Sequence, residues 1–257
     1  MKKILLTMGL LIVAVSLSIA QEYKLSKSTG KLVVREVDRV NFEGTTGNEI
    51  IFMTESHNDR RPERAKGLVP INGSGVMDNT DIGLSVKDKG GEVVVQQVSS
   101  NSKTRYTIKV PKGVSIYYEH TTYHGKDINF KDVQSEIEVS AHYNGINLKN
   151  VTGPMAIKSV YGHVEADFAS LNQNGSVSLY SVYDFVDVSL PASARANVSM
   201  KSGYGEMFTD MKLDMGTTGD MVKVSSKQVQ GTLNGGGVDL SLKSSYKNIY
   251  LRKRKQQ

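Results

Sequence analysis

Residues 159–164 read SVYGHV and residues 181–186 read SVYDFV, so nearly the same six letters recur 22 residues further along the chain. The two phrases belong to a longer register that can be counted from their tyrosines. The matching tyrosines are Tyr143, Tyr161, Tyr183, Tyr204 and Tyr246. The intervals between consecutive members are 18, 22, 21 and 42, and the last is twice 21. Because self-similarity at a fixed period of this order is the signature of repeat architectures, the spacing predicts a repeat of roughly 21 residues.

Apolar residues alternate with polar ones on both sides of each tyrosine. Around Tyr161, for example, Met155 and Ile157 precede the tyrosine, and Val164 and Ala166 follow it. A period of two is typical of a strand with one buried face. The apolar positions have even offsets before the tyrosine and odd offsets after it, so the chain must turn a corner to keep the same side inward.

Two architectures could produce this strand–corner–strand unit: a β-hairpin repeat and a β-solenoid. Four of the five residues that follow the tyrosines are types that tolerate a left-handed backbone, and Lys247 is the exception. These four are Asn144, Gly162, Asp184 and Gly205. A two-residue hairpin turn needs positive φ at both central residues, for which tyrosine is a poor choice. The sequence favours an all-β, single-stranded parallel β-solenoid (β-helix) with coils of roughly 21 residues, stacked about 4.8 Å apart.

The first twenty residues have the pattern of a secretory signal peptide. Lys2 and Lys3 precede an apolar run, and Ser18 and Ala20 are the small residues that a signal peptidase reads. The alternative, an N-terminal membrane anchor, is disfavoured because the run is short. We expect cleavage before Gln21, which leaves no transmembrane segment. Because the chain has no cysteine, we expect no disulfide and no lipoprotein anchor.

The positive charge of the chain is concentrated at its end. The formal net charge is +6, and loss of Lys2 and Lys3 leaves +4, which equals the four basic residues at 252–255. The rest of the mature chain is neutral, so nucleic-acid binding lacks a basic face. We predict a solvated basic tail at residues 252–257, with contact to an anionic envelope surface as the alternative.

The repeat pattern is less regular in the first part of the mature chain than in the second. We predict a less regular N-terminal part of the solenoid over residues 21–112, with a polar loop at 54–80, and regular coils over residues 113–251. The longest interval, from Tyr204 to Tyr246, predicts an irregular coil or excursion, and the conformation of residues 207–237 stays open.

The open ends of a solenoid need covers, because exposed strand edges invite edge-to-edge assembly. The first segment after cleavage and the charged stretch at 247–253 are the predicted covers.

Six stretches of the chain resemble a family of exported bacterial β-strand-repeat proteins that carry the name adhesin and form a domain of unknown function. The name is itself an inference from repeats and export. The likeness covers essentially the whole mature chain. Its stretches are FEGTTGNEI (42–50), MDNTDIGLSV (77–86), YTIKVPKGV (106–114), LKNVTGPMAIKSVYGHV (148–164), SLYSVYDFVDVSLP (178–191) and GTLNGGGVDLSLKSSYKNIYLRK (231–253).

The resemblance implies a β-solenoid in the envelope of a Gram-negative bacterium, in the periplasm, at the outer membrane or on the cell surface. It offers no catalytic residues. Members often carry glycine after the tyrosine, so Asp184 and Lys247 are departures whose corners we expect to be less tight.

Three carboxylates are the candidates for chemistry. Glu165 and Asp187 lie four residues after their tyrosines, on the predicted outward face of adjacent coils, and Asp167 follows Glu165 by two residues. Carboxylates about 5 Å apart could share a cation or perform acid–base catalysis. A solvated strand face is the plainer interpretation, because other coils carry no acid there but Asn147, Phe208 and Tyr250. We therefore predict no catalytic site.

Four histidines lie near the repeat, at offsets of −3, +1, −1 and +2 from their nearest tyrosines: His120, His124, His142 and His163. Side chains at four different phases do not converge on one ion. We accordingly predict neither a metal nor a cofactor.

The tyrosine column has two interpretations. Even offsets place the tyrosines on the apolar side, so we expect a buried aromatic stack inside the corner, with room left by small residues two positions earlier. These residues are Ala141, Ser159, Ser181, Ser202 and Ser244. The alternative is an exposed strip that stacks sugar rings. Tyr117 or Tyr118, whichever faces outward, is the better surface candidate under the first interpretation.

The sequence thus predicts an exported, non-enzymatic scaffold or surface-interaction module of the cell envelope. Its partner would be an envelope polymer or protein, and copies could associate through the solenoid ends. One alternative is a solenoid enzyme or binding protein that acts on a polysaccharide, for which Glu165, Asp167 and Asp187 are the residues to suspect. Another is a sensor or structural element of the envelope-stress response.

Overall fold

The structure, a computed structural model, describes residues 21–54, 63–99, 103–216 and 227–255. The predicted signal peptide and parts of the segments at 54–80 and 207–237 lie outside these residues. The described residues form 20 strands and one short 3-10 helix (Glu63–Ala65), and they contain no helix of the length and apolarity that crossing a membrane requires. The predicted all-β class is confirmed.

The strands are numbered in chain order: β1 (Gln21–Ser26), β2 (Thr29–Arg35), β3 (Val40–Thr45), β4 (Glu49–Thr54), β5 (Leu84–Asp88), β6 (Glu92–Gln97), β7 (Tyr106–Pro111), β8 (Gly113–His120), β9 (Ile128–Lys131), β10 (Ile137–Ala141), β11 (Ile146–Val151), β12 (Met155–Ser159), β13 (Val164–Phe168), β14 (Val177–Ser181), β15 (Val186–Leu190), β16 (Ala196–Ser202), β17 (Met207–Thr209), β18 (Gln228–Leu233), β19 (Val238–Ser244) and β20 (Ile249–Lys253).

These strands form two ten-stranded mixed sheets. Sheet 1 has the order β1-β4-β7-β3-β9-β11-β13-β15-β20-β17. Sheet 2 has the order β18-β16-β19-β14-β12-β10-β8-β2-β6-β5. Most neighbours are parallel, whereas the pairs at three of the four sheet edges are antiparallel.

The repeating unit is a coil, by which we mean one strand of sheet 2, a corner and the next strand of sheet 1. Successive coils pair in parallel and in register. Ile137, for example, pairs with Met155, which pairs in turn with Val177. Eight coils are present among the described residues: β2–β3, β6–β7, β8–β9, β10–β11, β12–β13, β14–β15, β16–β17 and β19–β20.

Two of these coils are out of sequence order. The β19–β20 coil lies between the β14–β15 and β16–β17 coils, because β19 pairs with β14 and β16, and β20 pairs with β15 and β17. At the other end, the β2–β3 coil lies between the β6–β7 and β8–β9 coils. The described part of the doubled interval contains β17 and β18, after which the chain returns into an inner position of the stack.

The covers at the ends differ in part from the expectation. The segment after the predicted cleavage site, β1, does lie at an edge of sheet 1, antiparallel to β4. The predicted cover at 247–253 is wrong, because β20 is an inner strand, paired on both sides. The edge of sheet 2 at that end is formed by β18, which runs antiparallel to β16.

The inward side chains of both sheets form one continuous core of aliphatic and aromatic residues. Each buried Val, Leu or Ile contributes about 1.5–3 kcal/mol of transfer free energy. Two tyrosines belong to this core, and both have a partner for the hydroxyl group. Tyr118 donates to the carbonyl of Val37 at 2.8 Å, and Tyr106 donates to that of Ile82 at 2.9 Å. Burial raises the pKa of both tyrosines well above its ordinary value.

Candidate functional site

The five repeat tyrosines lie on the outside of the corners between sheet 2 and sheet 1. Their exposed fractions range from 43% for Tyr183 to 77% for Tyr204. The prediction that this column is buried in the core is therefore wrong. The bend begins one residue before the tyrosine and includes it, at 160–162 around Tyr161 and 182–184 around Tyr183. The alternation of inward and outward positions is therefore already broken where the tyrosine occurs.

The five rings form one continuous stack, which we call the tyrosine ladder. From one end to the other its order is Tyr143, Tyr161, Tyr183, Tyr246 and Tyr204. Neighbouring ring centroids are 4.7–5.2 Å apart and the ring planes are within 16° of parallel. Among the described residues, none of the five hydroxyl groups has a protein hydrogen-bond partner. The ladder thus presents a regular row of free phenol groups.

A buried serine fixes four of the five corners of the ladder, and Ala141 takes the equivalent position before Tyr143. Ser159, two residues before Tyr161, donates its hydroxyl to the carbonyl of Asn144 at 2.8 Å and accepts the amide of Gly162 at 3.0 Å. Ser181, Ser202 and Ser244 make the same pair of bonds in their own coils. Each serine therefore joins its own turn to the neighbouring coil, a role that goes beyond leaving room for the tyrosine.

The glycines after two of the tyrosines are needed for close approach, not for a left-handed backbone. Neither Gly162 nor Gly205 has positive φ, and the same holds for Asn144 and Asp184. A Cβ atom on Gly162 would overlap the carbonyl oxygen of Asn144 in the next coil, and one on Gly205 would overlap that of Lys247. The predicted left-handed corner is thus wrong.

A second group of aromatic rings lies beside the C-terminal half of the ladder, on the outer face of sheet 1. Phe208 and Tyr250 stack with centroids 5.3 Å apart, and Phe185 meets Tyr250 edge to face at 6.4 Å. Phe185 also stacks on His163 at 5.2 Å. In the sequence, Phe208 and Tyr250 lie four residues after their tyrosines, the position that the acids Glu165 and Asp187 occupy in other coils. This shared position already predicts that the two aromatic side chains lie on one face.

The sheet 2 flank of the ladder is basic. Exposed lysines lie three residues before three of the five tyrosines, in one cross-strand row: Lys158, Lys243 and Lys201. The Nζ atom of Lys227 lies 5.2 Å from the ring centroid of Tyr204. Asp184 and Lys247 follow Tyr183 and Tyr246, and the parallel register of the two coils places these opposite charges at the same level.

The three candidate carboxylates do lie together, as the register predicts. Glu165 and Asp187 are neighbours on β13 and β15, and Asp167 lies on the same outer face. Two of them are paired, however, with the segment predicted to be a solvated tail. Arg252 binds Asp187 through two nitrogens at 2.7 Å, and the Nε of Arg254 lies 2.8 Å from Asp167.

The hydrogen bond with Asp187 raises the pKa of the Arg252 guanidinium above its ordinary value. The predicted solvated tail at 252–257 is wrong for its first two residues, because Arg252 and Lys253 belong to β20. The arginines thus bind two of the three candidate carboxylates.

The histidines occupy separate places. His120 is fully buried, with Nε2 3.1 Å from Asp38, whereas His163 contacts Asn147 at 2.9 Å. His124 stacks on Tyr123 and His142 lies beside Tyr143. Within the described ranges no group of three or more His, Cys, Asp or Glu side chains is arranged to hold a metal ion.

Tyr117 is the outward member of the pair that the sequence left open, since Tyr118 is fully buried. Tyr117 lies on the outer face of sheet 2 beneath the ammonium of Lys31, 5.0 Å from the ring centroid. It is thus a surface tyrosine outside the ladder.

Comparison with known proteins gives one family and one solved structure. A family model described as Toastrack DUF4097 matches residues 120–252, which are 133 of the 257 residues. No curated protein matches the sequence. A crystal structure titled "putative cell adhesion protein", from Clostridium sporogenes ATCC 15579, is 16% identical with a TM-score of 0.43, over 91% of this chain and 100% of that chain. The match to more than half of the sequence confirms the resemblance to a family of unknown function: the chain belongs to the Toastrack family, DUF4097.

Proposed function

We propose that this protein is an exported, non-enzymatic scaffold of a bacterial cell envelope that binds a partner through the tyrosine ladder. The observation that carries the proposal is the ladder itself: five neighbouring coils place an aromatic ring at the surface, where each ring stays 43–77% exposed. Contiguous exposed apolar patches of several hundred Å² mark interaction sites on soluble proteins.

The proposal includes a specific fold, a β-solenoid whose repeating coils form a rigid rod. The parallel, in-register pairing of coils supports this. The corner serines support it as well, since each hydroxyl joins one coil to the next. Rigidity matters for binding because a preformed surface loses little conformational entropy when its partner arrives.

End-to-end association of copies is not part of the proposal. The four edge strands β1, β5, β17 and β18 have only 6, 5, 3 and 6 residues. Short edge strands discourage pairing between molecules. Binding through the side of the rod is therefore favoured over binding through its ends.

The rival function, an enzyme that acts on polysaccharides, loses support from the ion pairs of Asp187 and Asp167. A glycosidase needs one free carboxylate and one protonated carboxyl group about 5–9 Å apart. Two of the three candidates are instead held by arginines.

The proposal is tested by fractionating cells that produce tagged protein, with protease treatment of intact cells to separate surface from periplasm. We expect the wild-type protein in the envelope fraction. The triple variant Tyr161→Ala, Tyr183→Ala and Tyr246→Ala should be exported but released into the soluble fraction. Tyr117→Ala, which removes an outward tyrosine outside the ladder, is the matched control and should stay bound. Equal retention of the triple variant and the wild type would contradict the proposed role of the ladder.

A further inference from the structure

We propose that the sheet 2 side of the ladder binds a linear acidic polysaccharide, which crosses the coils beside the tyrosines and pairs its carboxylate groups with a row of lysines. This inference rests on the proposed function and names the chemical class of the partner. It is carried by the charge of this side of the ladder, by its hydroxyl groups and by the stacking of the tyrosine rings.

The charge comes from exposed lysines that share one position of the repeat. Three residues before the tyrosines, the neighbouring strands β12, β14, β19 and β16 carry Lys158, Tyr180, Lys243 and Lys201 side by side. The three lysines are exposed, and we call them the lysine row. Neighbouring strands lie about 4.8 Å apart, so the row is about 14 Å long and runs parallel to the ladder. Positive charges fixed along a line attract a polymer that carries repeated negative charges.

The ammonium groups of the lysine row are available to a ligand. Within the described residues, Lys158 and Lys201 pair with no carboxylate. Lys243 lies over the ring of Tyr180, with its Nζ atom 4.4 Å from the ring centroid. The hydroxyl of Tyr180 is hydrogen-bonded in turn to the hydroxyl of Ser245 at 2.9 Å, which holds the ring in place. The contact with Tyr180 thus positions an ammonium group without neutralising its charge.

Acids near the ladder have partners of their own or lie on its other side. Along the lysine row, the first acid is Glu119, two strands beyond β12. Glu119 and Glu138 each pair with a basic residue, at 3.3 and 3.2 Å, and Asp239 accepts a hydrogen bond from a side-chain amide at 3.0 Å. Asp184 and Glu206 come after their tyrosines, towards sheet 1. The sheet 2 side is therefore the side that attracts anions.

The same side offers hydroxyl groups, which suit a polysaccharide. Five residues before the tyrosines, Ser178, Ser241 and Ser199 form a second cross-strand row on the outer face of sheet 2. The lysine row lies between these serines and the phenol groups of the ladder. Serine and tyrosine hydroxyls both donate and accept hydrogen bonds, as sugar hydroxyls do. A chain that carries carboxylates and hydroxyls therefore finds partners for both.

The arrangement argues against two other anionic partners. A protein that lies on an anionic membrane inserts apolar side chains beside its basic ones, whereas the exposed residues next to the ladder on this side are lysines and serines. A single-stranded nucleic acid stacks its bases on aromatic faces. Each inner ring of the ladder, however, has another ring on both faces. An acidic polysaccharide requires neither kind of contact.

The test measures the affinity of the purified protein for oligogalacturonates of two to eight residues, by calorimetry or NMR titration. The same oligomers with methyl-esterified carboxyl groups keep the backbone and lose the charge, so we expect them to bind at least tenfold more weakly. Affinity for the charged oligomers should rise with chain length until they span the lysine row, and it should fall as salt is added. Oligomannuronates and hyaluronan oligomers, which have carboxylates on every and on every second residue, are measured in the same way.

Variants of the lysine row locate the binding. The double variant Lys201→Gln and Lys243→Gln should bind the best oligomer at least tenfold more weakly, which corresponds to about 1.4 kcal/mol. The matched control is Lys131→Gln with Lys149→Gln, which removes the same charge from two exposed, neighbouring positions on the outer face of sheet 1 and should leave the affinity unchanged. Melting curves should show that all variants are folded.

The inference is overturned if none of the uronate oligomers binds, if charged and esterified oligomers bind equally, or if the two lysine pairs have equal effects. It is also overturned if phosphatidylglycerol vesicles or a single-stranded DNA oligomer bind more tightly than every uronate at the same salt concentration. Loss of envelope retention in the triple tyrosine variant, without binding of any uronate by the wild type, would refute this inference alone. Unchanged retention of the triple variant would refute the proposed function.

Discussion

The middle of the molecule and its two ends are built from the same coil but assembled differently. From β10 to β15 each coil stacks on the one that precedes it in the sequence. At the ends, the β2–β3 and β19–β20 coils occupy inner positions between coils that are distant in sequence. The difference teaches that the repeat pattern determines the inside and outside of each coil but not the order of the coils.

The reason is that the inward apolar residues of different coils can replace one another as pairing partners. Val177 pairs with Leu240, and Leu240 pairs with Val198, so the inserted coil uses the same register as its neighbours. Without the insertion, Val177 and Val198 could have faced each other with the same pattern. Inserted and sequential coils can therefore be compared by changing equivalent residues in each.

Deletion of residues 238–257 is expected to have the largest effect, because it removes the inserted coil from between two others. The β16–β17 coil loses its parallel partner on both sheets. Hydrogen exchange should then show loss of protection across residues 196–209, while residues 137–168 stay protected. Deletion of residues 21–26, an edge strand, is the control and should leave residues 196–209 unaffected. Full protection of that coil after the first deletion would show that it does not depend on the insertion.

Truncation of a buried leucine compares the two kinds of coil directly. Leu179 in β14 and Leu242 in β19 are both fully buried, and each is paired on both sides. Leu179→Ala and Leu242→Ala should each lower the free energy of unfolding by about 2–5 kcal/mol, with similar values for the two. Urea unfolding measures this. A much smaller loss for Leu242→Ala would mean that the inserted coil is loosely held.

A methyl group at a ladder corner should have an intermediate effect. In Gly162→Ala the new Cβ would overlap a carbonyl of the adjacent coil, so the two coils must separate locally. We expect a loss of about 1–3 kcal/mol in unfolding free energy. Gly91→Ala, where a Cβ meets no atom within 4 Å, is the matched control and should change stability by less than about 0.5 kcal/mol. Equal effects at both positions would contradict the close-approach role of Gly162.

Loss of the surface ion pair should have the smallest effect. The Arg252 side chain is about half exposed, so Arg252→Ala should lower the unfolding free energy by no more than about 1 kcal/mol, and by less at high salt. A double-mutant cycle with Asp187→Ala isolates the pair. A coupling energy well above the range of exposed ion pairs would mean that this arginine anchors the inserted coil.

The features that could be predicted from the sequence are those that depend on the residues of one coil and on the period of the repeat. The strand pairs, the outward position of Glu165 and Asp187, and the side-by-side placement of these two acids all follow from the period and the register. The exposure of the tyrosines could not be predicted in the same way. The alternation of apolar residues shows which side chains face inward only when the position of the bend is known. The position of the bend depends on hydrogen bonds from a serine to a neighbouring coil. The partners of Asp187 and Asp167 were equally out of reach, because Arg252 and Arg254 are brought there by the insertion.

The order of the ladder links the fold to the proposed binding, and one measurement tests both. Tyr246 comes from the inserted coil and lies between Tyr183 and Tyr204. Tyr246→Ala should therefore leave an uninterrupted row of only three rings, Tyr143, Tyr161 and Tyr183. Tyr246→Ala should thus lower envelope retention more than Tyr204→Ala, which removes only the end ring. If the coils were stacked in sequence order, Tyr246 would lie at the end of the row, and a smaller loss of retention for Tyr246→Ala than for Tyr204→Ala would contradict the account.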